Sequence, residues 1–161
     1  MNKMLRTVAV LLAALTLLLC LASCGGSQTP TGYTFKAPNG TELFIGALHD
    51  DVIPKLGNYQ YMNSSAACGG FKGEDRIYYY NGFVVKTTPG KKGDFVNHIE
   101  LTDDSVSTPQ GITIGSTKDQ VLAAMGQPTV MGDNLAYEKD NMKLMFLFRD
   151  GTVTNIQYIL K

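Results

Sequence analysis

Cysteine and histidine are the residues of this chain that could act in nucleophilic catalysis, and they are few. Cys68 lies next to two glycines, and the two histidines are His49 and His98. A cysteine nucleophile needs a base within hydrogen-bonding distance. His49 lies at a predicted helix start, where it is expected to cap the helix or be solvated, and His98 lies in a predicted strand among polar neighbours. A lone cysteine is more often a small buried residue than a reactive thiol. The sequence therefore predicts no catalytic residue and no enzymatic activity.

Three pairs of adjacent acidic residues could be taken for a metal or glycosidase site: Asp50-Asp51, Glu74-Asp75 and Asp103-Asp104. Adjacent carboxylates on a strand point to opposite faces, and at a helix start they interact favourably with the helix dipole. The sequence contains no calcium-loop pattern, and its histidines and cysteine lack the ligand spacing of a zinc site. We therefore expect neither a metal nor another cofactor.

Aromatic residues are concentrated in one part of the chain. They are Tyr59, Tyr61, Phe71, Tyr78, Tyr79, Tyr80 and Phe83. Tyrosine combines apolar area with a hydrogen-bonding hydroxyl group and is favoured at binding surfaces. Two interpretations remain open, because the rings could fill the junction between two halves of the chain or form part of a binding surface.

One stretch occurs twice, and this repeat is the strongest indication of the architecture. Residues 45–57 align without a gap with residues 114–126. In the second copy, Thr117 and Gln120 have the spacing of a helix-capping box. In the first copy, Pro54 lies inside the helix and should shorten or bend it. The repeat predicts two tandem units, 33–104 and 105–161, with residues 58–75 as an insertion in the first.

Runs of strand-favouring residues separated by turn sequences predict three strands after each helix. They lie at 76–80, 83–88 and 95–101 in the first unit and at 135–139, 142–149 and 152–160 in the second. A hairpin of residues 33–37 and 41–45, joined by Asn39-Gly40, comes before the first helix. We predict an α+β fold, in which two helix-plus-antiparallel-meander units form a sheet with the helices packed on one face.

Successive side chains along a strand point to opposite faces, and this period of two divides the strand residues between the two faces of the sheet. One face, with Phe95, Ile99 and Leu101, should pack under the helices. The other face is mixed in polarity, includes Val96, Val153 and Asn155, and can remain open to water. We predict that it binds a partner together with the 58–75 loop. The candidate binding residues are Phe71, Tyr78, Tyr80, His98, Glu100, Lys143 and Arg149.

The first residues have the pattern of a bacterial export signal. Lys3 and Arg6 come before an apolar run that is short for a membrane-spanning helix. The sequence Leu21-Ala22-Ser23-Cys24-Gly25 resembles a lipobox, which implies cleavage before Cys24 and lipid attachment to its sulfur. We expect a signal peptide at 1–23 and a flexible tether at 24–32. The lipid would hold the domain at the extracytoplasmic face of the bacterial membrane.

The charge pattern argues against a nucleic-acid partner. The chain has 14 basic and 14 acidic residues, and no basic stripe that could neutralise the phosphates of a nucleic acid. The sequence favours a non-enzymatic, membrane-anchored binding module with a protein or peptide partner in the cell envelope. The alternative function is that of a structural or assembly component of an envelope complex.

The two units also carry a family resemblance. Their arrangement, with Ile-Gly opening each unit, resembles the β-lactamase-inhibitor-protein-like fold. The pattern Ser65-Ala66-Ala67-Cys68-Gly69-Gly70-Phe71, followed by Phe83-x-Val85-x-Thr87, resembles a family of uncharacterised lipoproteins of Firmicutes-type bacteria. The resemblance covers roughly residues 33–161 and implies the fold. It implies no activity, and no inhibitor contact residue is carried over.

Overall fold

A computed structural model describes residues 30–67 and 72–161. The predicted signal peptide, Cys24 with its predicted lipid, and residues 68–71 lie outside the described residues, as do most residues of the predicted tether. In the described ranges, no helix is both long enough and apolar enough to cross a membrane.

The described part of the chain contains ten strands, two α-helices and one 3₁₀ helix. The strands are β1 (Thr34–Lys36), β2 (Glu42–Phe44), β3 (Tyr61–Ala66), β4 (Glu74–Tyr79), β5 (Phe83–Thr88), β6 (Phe95–Leu101), β7 (Val130–Met131), β8 (Leu135–Lys139), β9 (Met142–Arg149) and β10 (Thr152–Leu160). The helices are α1 (His49–Val52), the 3₁₀ helix Ile53–Leu56, and α2 (Lys118–Met125). Strands β5, β6, β8, β9 and β10 have the bounds predicted from the sequence.

Eight strands form one antiparallel sheet in the order β3-β4-β5-β6-β10-β9-β8-β7, and β1 and β2 form a separate hairpin. The last strands of the two halves, β6 and β10, pair with each other at the centre. In this pairing Glu100 lies opposite Gln157. The two halves therefore contribute to a single continuous sheet.

The predicted α+β class is wrong, because the fold is dominated by antiparallel strands. Strand accounts for 45% and helix for 12% of the described residues. Pro54, which has no N–H to donate, limits α1 to four residues, and the chain continues as a 3₁₀ helix. Each α-helix contributes a single buried side chain, Val52 in α1 and Val121 in α2. Such short helices cannot form a layer over the sheet.

The second helix begins as the sequence predicts. The hydroxyl oxygen of Thr117 accepts a hydrogen bond from the Gln120 N–H at 3.3 Å, and the Gln120 side-chain oxygen accepts one from the Thr117 N–H at 2.8 Å. These two bonds satisfy N–H groups that have no partner inside the helix. The capping box is confirmed.

The core lies between one face of the sheet and the segments that cover it. Phe35 of the β1–β2 hairpin is fully buried, with its ring centroid 5.1 Å from that of Phe83 and 6.2 Å from that of Tyr158. The segment between β6 and α2 adds Val106 and Ile112 to the same core cluster. A hairpin and irregular segments therefore do most of the covering that the sequence assigned to helices.

A β-bulge in each central strand changes which residues face the core. The strand pairing skips Asn97 in β6 and Thr154 in β10. An extra residue reverses the alternation of side chains along a strand. Val96 and Val153 consequently point into the core and are 0% and 1% exposed. This corrects their predicted position on the open side of the sheet.

The start of each repeated stretch fixes one bulge. The Val96 N–H donates to the Ala47 carbonyl at 2.8 Å, and the Gly46 N–H donates to the Val96 carbonyl at 2.7 Å. In the second half, the Val153 N–H donates to the Ser116 carbonyl at 2.8 Å, and the Gly115 N–H donates to the Val153 carbonyl at 2.7 Å. Both glycines have positive φ, 93° and 90°, a conformation that glycine adopts with little strain. This geometry explains why Ile-Gly opens both copies of the repeat.

Candidate functional site

The sheet face opposite the core is the candidate site, and we call it the open face. The buried hydrophobic residues Val84 and Ala136 lie on it and are not members of the core cluster. The covering segments contribute to the core cluster on the other face. The open face is therefore a surface of side chains that project directly from the strands.

Three side chains form a polar group at the centre of the open face, which we call the central cluster: His98, Glu100 and Asn155. The Asn155 side-chain amide donates to Glu100 Oε1 at 2.5 Å. The other carboxylate oxygen, Oε2, lies 3.4 Å from His98 Nε2. The side chains of His98 and Glu100 are only 18% and 25% exposed. Neighbouring side chains of the sheet thus shield most of the cluster from water.

Several polar atoms at this position have no partner. Within the described residues, His98 Nε2, Asn155 Oδ1 and Asn97 Oδ1 are buried and make no hydrogen bond. His98 Nε2 lies within ion-pair distance of the Glu100 carboxylate, which favours the protonated imidazole. Buried polar groups are normally hydrogen-bonded to protein or to water. These unsatisfied atoms lie beneath neighbouring side chains of the open face, so a ligand or partner can reach them only when those side chains move.

The electrostatic surroundings keep His98 uncharged at neutral pH. Burial lowers the pKa of its imidazole below 6.5, the Lys86 ammonium lowers it further, and the Glu100 carboxylate opposes both effects. Lys86 lies directly opposite His98 in the β5–β6 pairing. A neutral imidazole has one donor and one acceptor nitrogen, so the central cluster offers both kinds of hydrogen-bonding group.

The lowered pKa of His98 predicts a pH-dependent stability. As pH falls below about 6.5, the unfolded chain binds a proton at this histidine more readily than the folded chain does. We expect the free energy of unfolding to decrease on acidification through this range and the His98→Gln variant to lack this contribution. Urea denaturation of both proteins on either side of about pH 6.5 measures the difference. Identical pH dependence in the two proteins would contradict the prediction.

Lys143 and Arg149, the two charged candidate residues on β9, lie toward one side of the open face. Lys143 Nζ is 3.2 Å from Glu138 Oε1, and Lys161 Nζ is 2.6 Å from Oε2 of the same carboxylate. Hydrogen bonds from Lys161 and Lys143 lower the pKa of Glu138. Arg149 is exposed at the end of β9. The β9 side thus supplies charges around the shielded central cluster.

The structure does not bring Tyr78 and Tyr80 to this surface. They are 5% and 7% exposed and belong to the core cluster. The tight turn at residues 81–82 pairs Tyr80 with Phe83 and Tyr78 with Val85, which face the core. Burial raises the pKa of Tyr80 to about 12. This corrects the prediction that both rings belong to the binding surface.

The remaining residues singled out in the sequence are separate from the central cluster. His49 is engaged on the covered side, because its Nε2 lies 2.9 Å from the Tyr78 hydroxyl and its Nδ1 lies 2.7 Å from Asp50. Phe71 and Cys68 lie outside the described residues. In the ranges that the structure describes, no group of three or more His, Cys, Asp or Glu side chains could hold a metal ion.

Sequence reasoning did not select several residues that contribute to the open face. Tyr79 lies opposite Val84 on this face, and its ring stacks on that of Tyr61 with centroids 4.0 Å apart and planes at 14°. Asn155 was assigned to the face but not to the candidate binding set. The turn at residues 81–82 was the available signal, because a two-residue turn fixes which tyrosine faces the core.

Comparisons with known proteins do not assign the chain to a family. No family model and no curated protein matches it. One similar solved structure is an extracellular protein containing a SCP domain from Bacillus anthracis, with 11% identity and a TM-score of 0.45, covering 86% of this chain. The chain spans about half, 50%, of that protein.

A second similar structure is the uncharacterized protein yfeY from Escherichia coli. It has 12% identity and a TM-score of 0.43, and the match covers 83% of this chain and 99% of that protein. Neither likeness is close enough to carry an argument about function. The lipoprotein family inferred from sequence motifs stays a prediction.

Proposed function

We propose that the chain is an extracytoplasmic, membrane-anchored binding module that uses its open face to hold a protein or peptide partner and performs no chemical reaction. The observation that carries this proposal is the central cluster of His98, Glu100 and Asn155. Its buried atoms without partners lie on a face that no described segment covers. A partner that displaces the neighbouring side chains and supplies hydrogen bonds to these atoms would remove the cost of leaving them unsatisfied.

The arrangement of the open face supports a macromolecular partner. Met145, Leu147 and Ile159 are half-buried and place apolar area beside the central cluster. Lys143 and Arg149 add charge toward the β9 side. Protein interfaces combine a largely dehydrated centre with a polar rim. The strands hold these side chains in fixed positions, which reduces the conformational entropy lost on binding.

The proposed location of the module at the membrane is inferred from the first residues of the chain. The lipobox-like sequence ending at Cys24 supports lipid attachment, and the polar residues that follow it are suited to a flexible tether. In this arrangement the lipid holds the domain at the membrane, while the open face engages a partner in the cell envelope. The proposal assigns no role to Cys68.

Affinity capture tests this function. Residues 24–161 are immobilised through position 24, and retained envelope or secreted proteins are identified. A face variant carries His98→Ala, Lys143→Ala and Arg149→Ala, and a control variant carries Lys36→Ala and Lys55→Ala, two exposed lysines outside the eight-stranded sheet. We expect a specific partner that binds the wild-type and control proteins with similar affinity and whose binding to the face variant is lost.

Two outcomes would count against the proposal in different ways. A partner that the face variant still retains would exclude the open face as the binding surface, although the chain would remain a binding module. Failure to capture any specific partner, with all three proteins folded by circular dichroism, would remove the support for a binding function.

A further inference from the structure

The two edge strands of the eight-stranded sheet differ in length. Strand β3 forms one edge, is six residues long, and has every side chain exposed. Strand β7 forms the other edge and is only two residues long. Very short edge strands are one means by which proteins prevent unwanted sheet extension. The β7 edge has this protection, and the β3 edge does not.

Strand β3 also lacks the other common forms of edge protection. It contains no charged residue and no proline, and no charged residue occurs anywhere in residues 57–67. Its register with β4 is regular over all six residues, from Tyr61 opposite Tyr79 to Ala66 opposite Glu74. Within the described ranges, no segment other than β4 and the adjoining turn forms backbone hydrogen bonds with β3. Its outer N–H and C=O groups are therefore available for pairing with another strand.

We propose that the β3 edge pairs antiparallel with the β3 edge of a second copy of this chain. A strand without charge can meet its own copy without placing like charges opposite each other, which would destabilise the pair. For the same reason it offers no charge complementarity to a charged peptide. The edge is thus better suited to self-association than to the selection of a charged partner.

The geometry of such a pair is defined by symmetry. A two-fold axis perpendicular to the sheet keeps each face continuous across the two copies, so residues opposite each other must have side chains on the same face. The axis then passes next to Asn63 or Ser64, both small polar residues. Tyr61 and its stacking partner Tyr79 lie toward the end of the seam, where their rings do not obstruct the axis.

The opposite edge explains why this association closes at two copies. Continued growth of a sheet from one copy to the next would require β3 of one copy to pair with β7 of another. With two residues, β7 supplies too little backbone for a stable pair. An isologous β3–β3 dimer is the closed arrangement that the two edges permit. This inference is independent of the binding function proposed for the open face.

Oxidative cross-linking of the full-length chain in membranes tests the pairing. Asn63→Cys and Ser64→Cys are introduced separately into a Cys68→Ser parent, which by itself reports the background. Val130→Cys, at an exposed position on β7, is the matched control. We expect covalent dimers from position 63 or 64 well above those from the parent and from position 130. Equal yields at both edges, or no dimer above background at 63 and 64, would overturn the proposal.

A charge substitution then tests whether the seam itself holds the dimer. Ser64→Lys places the lysines of the two copies close together in either register, directly opposite each other for an axis at Ser64 and two residues apart for an axis at Asn63, whereas Met131→Lys places the same charge on the other edge. Ser64 and Met131 are exposed, so both variants are expected to fold. Light scattering of the detergent-solubilised full-length chain should give a dimer mass for wild type and Met131→Lys and a monomer mass for Ser64→Lys. A monomeric wild type, or a dimer that persists in Ser64→Lys, would overturn the proposal.

Discussion

Replacement of Phe35 by alanine is expected to lower the free energy of unfolding by about 3–5 kcal/mol, the usual cost of removing a fully buried phenylalanine ring. The ring joins the β1–β2 hairpin to the sheet through Phe83 and Tyr158. Its removal leaves a cavity between the hairpin and the central strands. Urea denaturation monitored by circular dichroism measures the effect.

The exposed ring of Tyr61 provides the comparison for Phe35. Tyr61→Ala removes an aromatic ring that stacks on Tyr79 at the surface, and we expect it to cost about 1 kcal/mol. If Phe35→Ala cost no more than this, the hairpin would not be an essential cover of the core.

Introduction of a carboxylate at Val96 is expected to destabilise the fold by about 4 kcal/mol or more, because an unpaired charge would be buried in the core. The bulge at Asn97 turns Val96 inward, and its main chain is bonded to Gly46 and Ala47. Val96→Asp therefore tests the bulge directly. Without the bulge, position 96 would lie on the open face and the substitution would be tolerated.

Ile159→Asp is the matched control for this substitution. Ile159 lies opposite His98 on the open face and is half-buried, so a carboxylate at this position can remain in contact with water. We expect a loss of stability of about 1 kcal/mol, close to the centre of the distribution for single substitutions. Similar losses for Val96→Asp and Ile159→Asp, measured by urea denaturation, would show that the bulge does not control the direction of the side chain.

The parts of the fold that could be predicted from sequence are those encoded by neighbouring residues. Strand β9 contains a continuous apolar run at 144–148 between Lys143 and Arg149 and is bounded by two turns, and its predicted bounds are correct. The capping box of α2 depends on two residues three positions apart in the first turn. The Asn39-Gly40 hairpin is likewise local and is present in the structure.

The bulges could not be predicted in this way. A bulge leaves the composition of a strand unchanged and shifts only the phase of its alternation, so Val96 was placed with His98 on one face. Its position depends on hydrogen bonds to Gly46 and Ala47, which are distant in sequence. The edge strand β3 also lacked a signal, since a strand exposed on both faces has no apolar periodicity.

Part of the candidate site was accessible to sequence reasoning. His98 and Glu100 were assigned to the uncovered face correctly, since they lie beyond the bulge and keep the alternation of Ile99 and Leu101. The unsatisfied atoms of the central cluster were not predictable, because they depend on the pairing of β6 with β10, in which Glu100 and Asn155 are 55 residues apart in sequence. The turn at residues 81–82 sets the register of the β4–β5 hairpin and therefore the direction of the Tyr78 side chain. The sequence prediction did not use this register.

The pairing of Glu100 with Gln157 has a consequence for the chemistry that a single chain permits at the centre of the sheet. Each is the fourth residue after the buried valine of its own half, so the pair joins equivalent positions, as on the axis of a two-fold dimer. Two identical half-chains would place the same residue on both sides, and two glutamates there would repel each other. Fusion of the halves into one polypeptide removes this restriction. It allows a carboxylate to occupy the centre of the open face beside a neutral amide, which a dimer of identical halves cannot achieve.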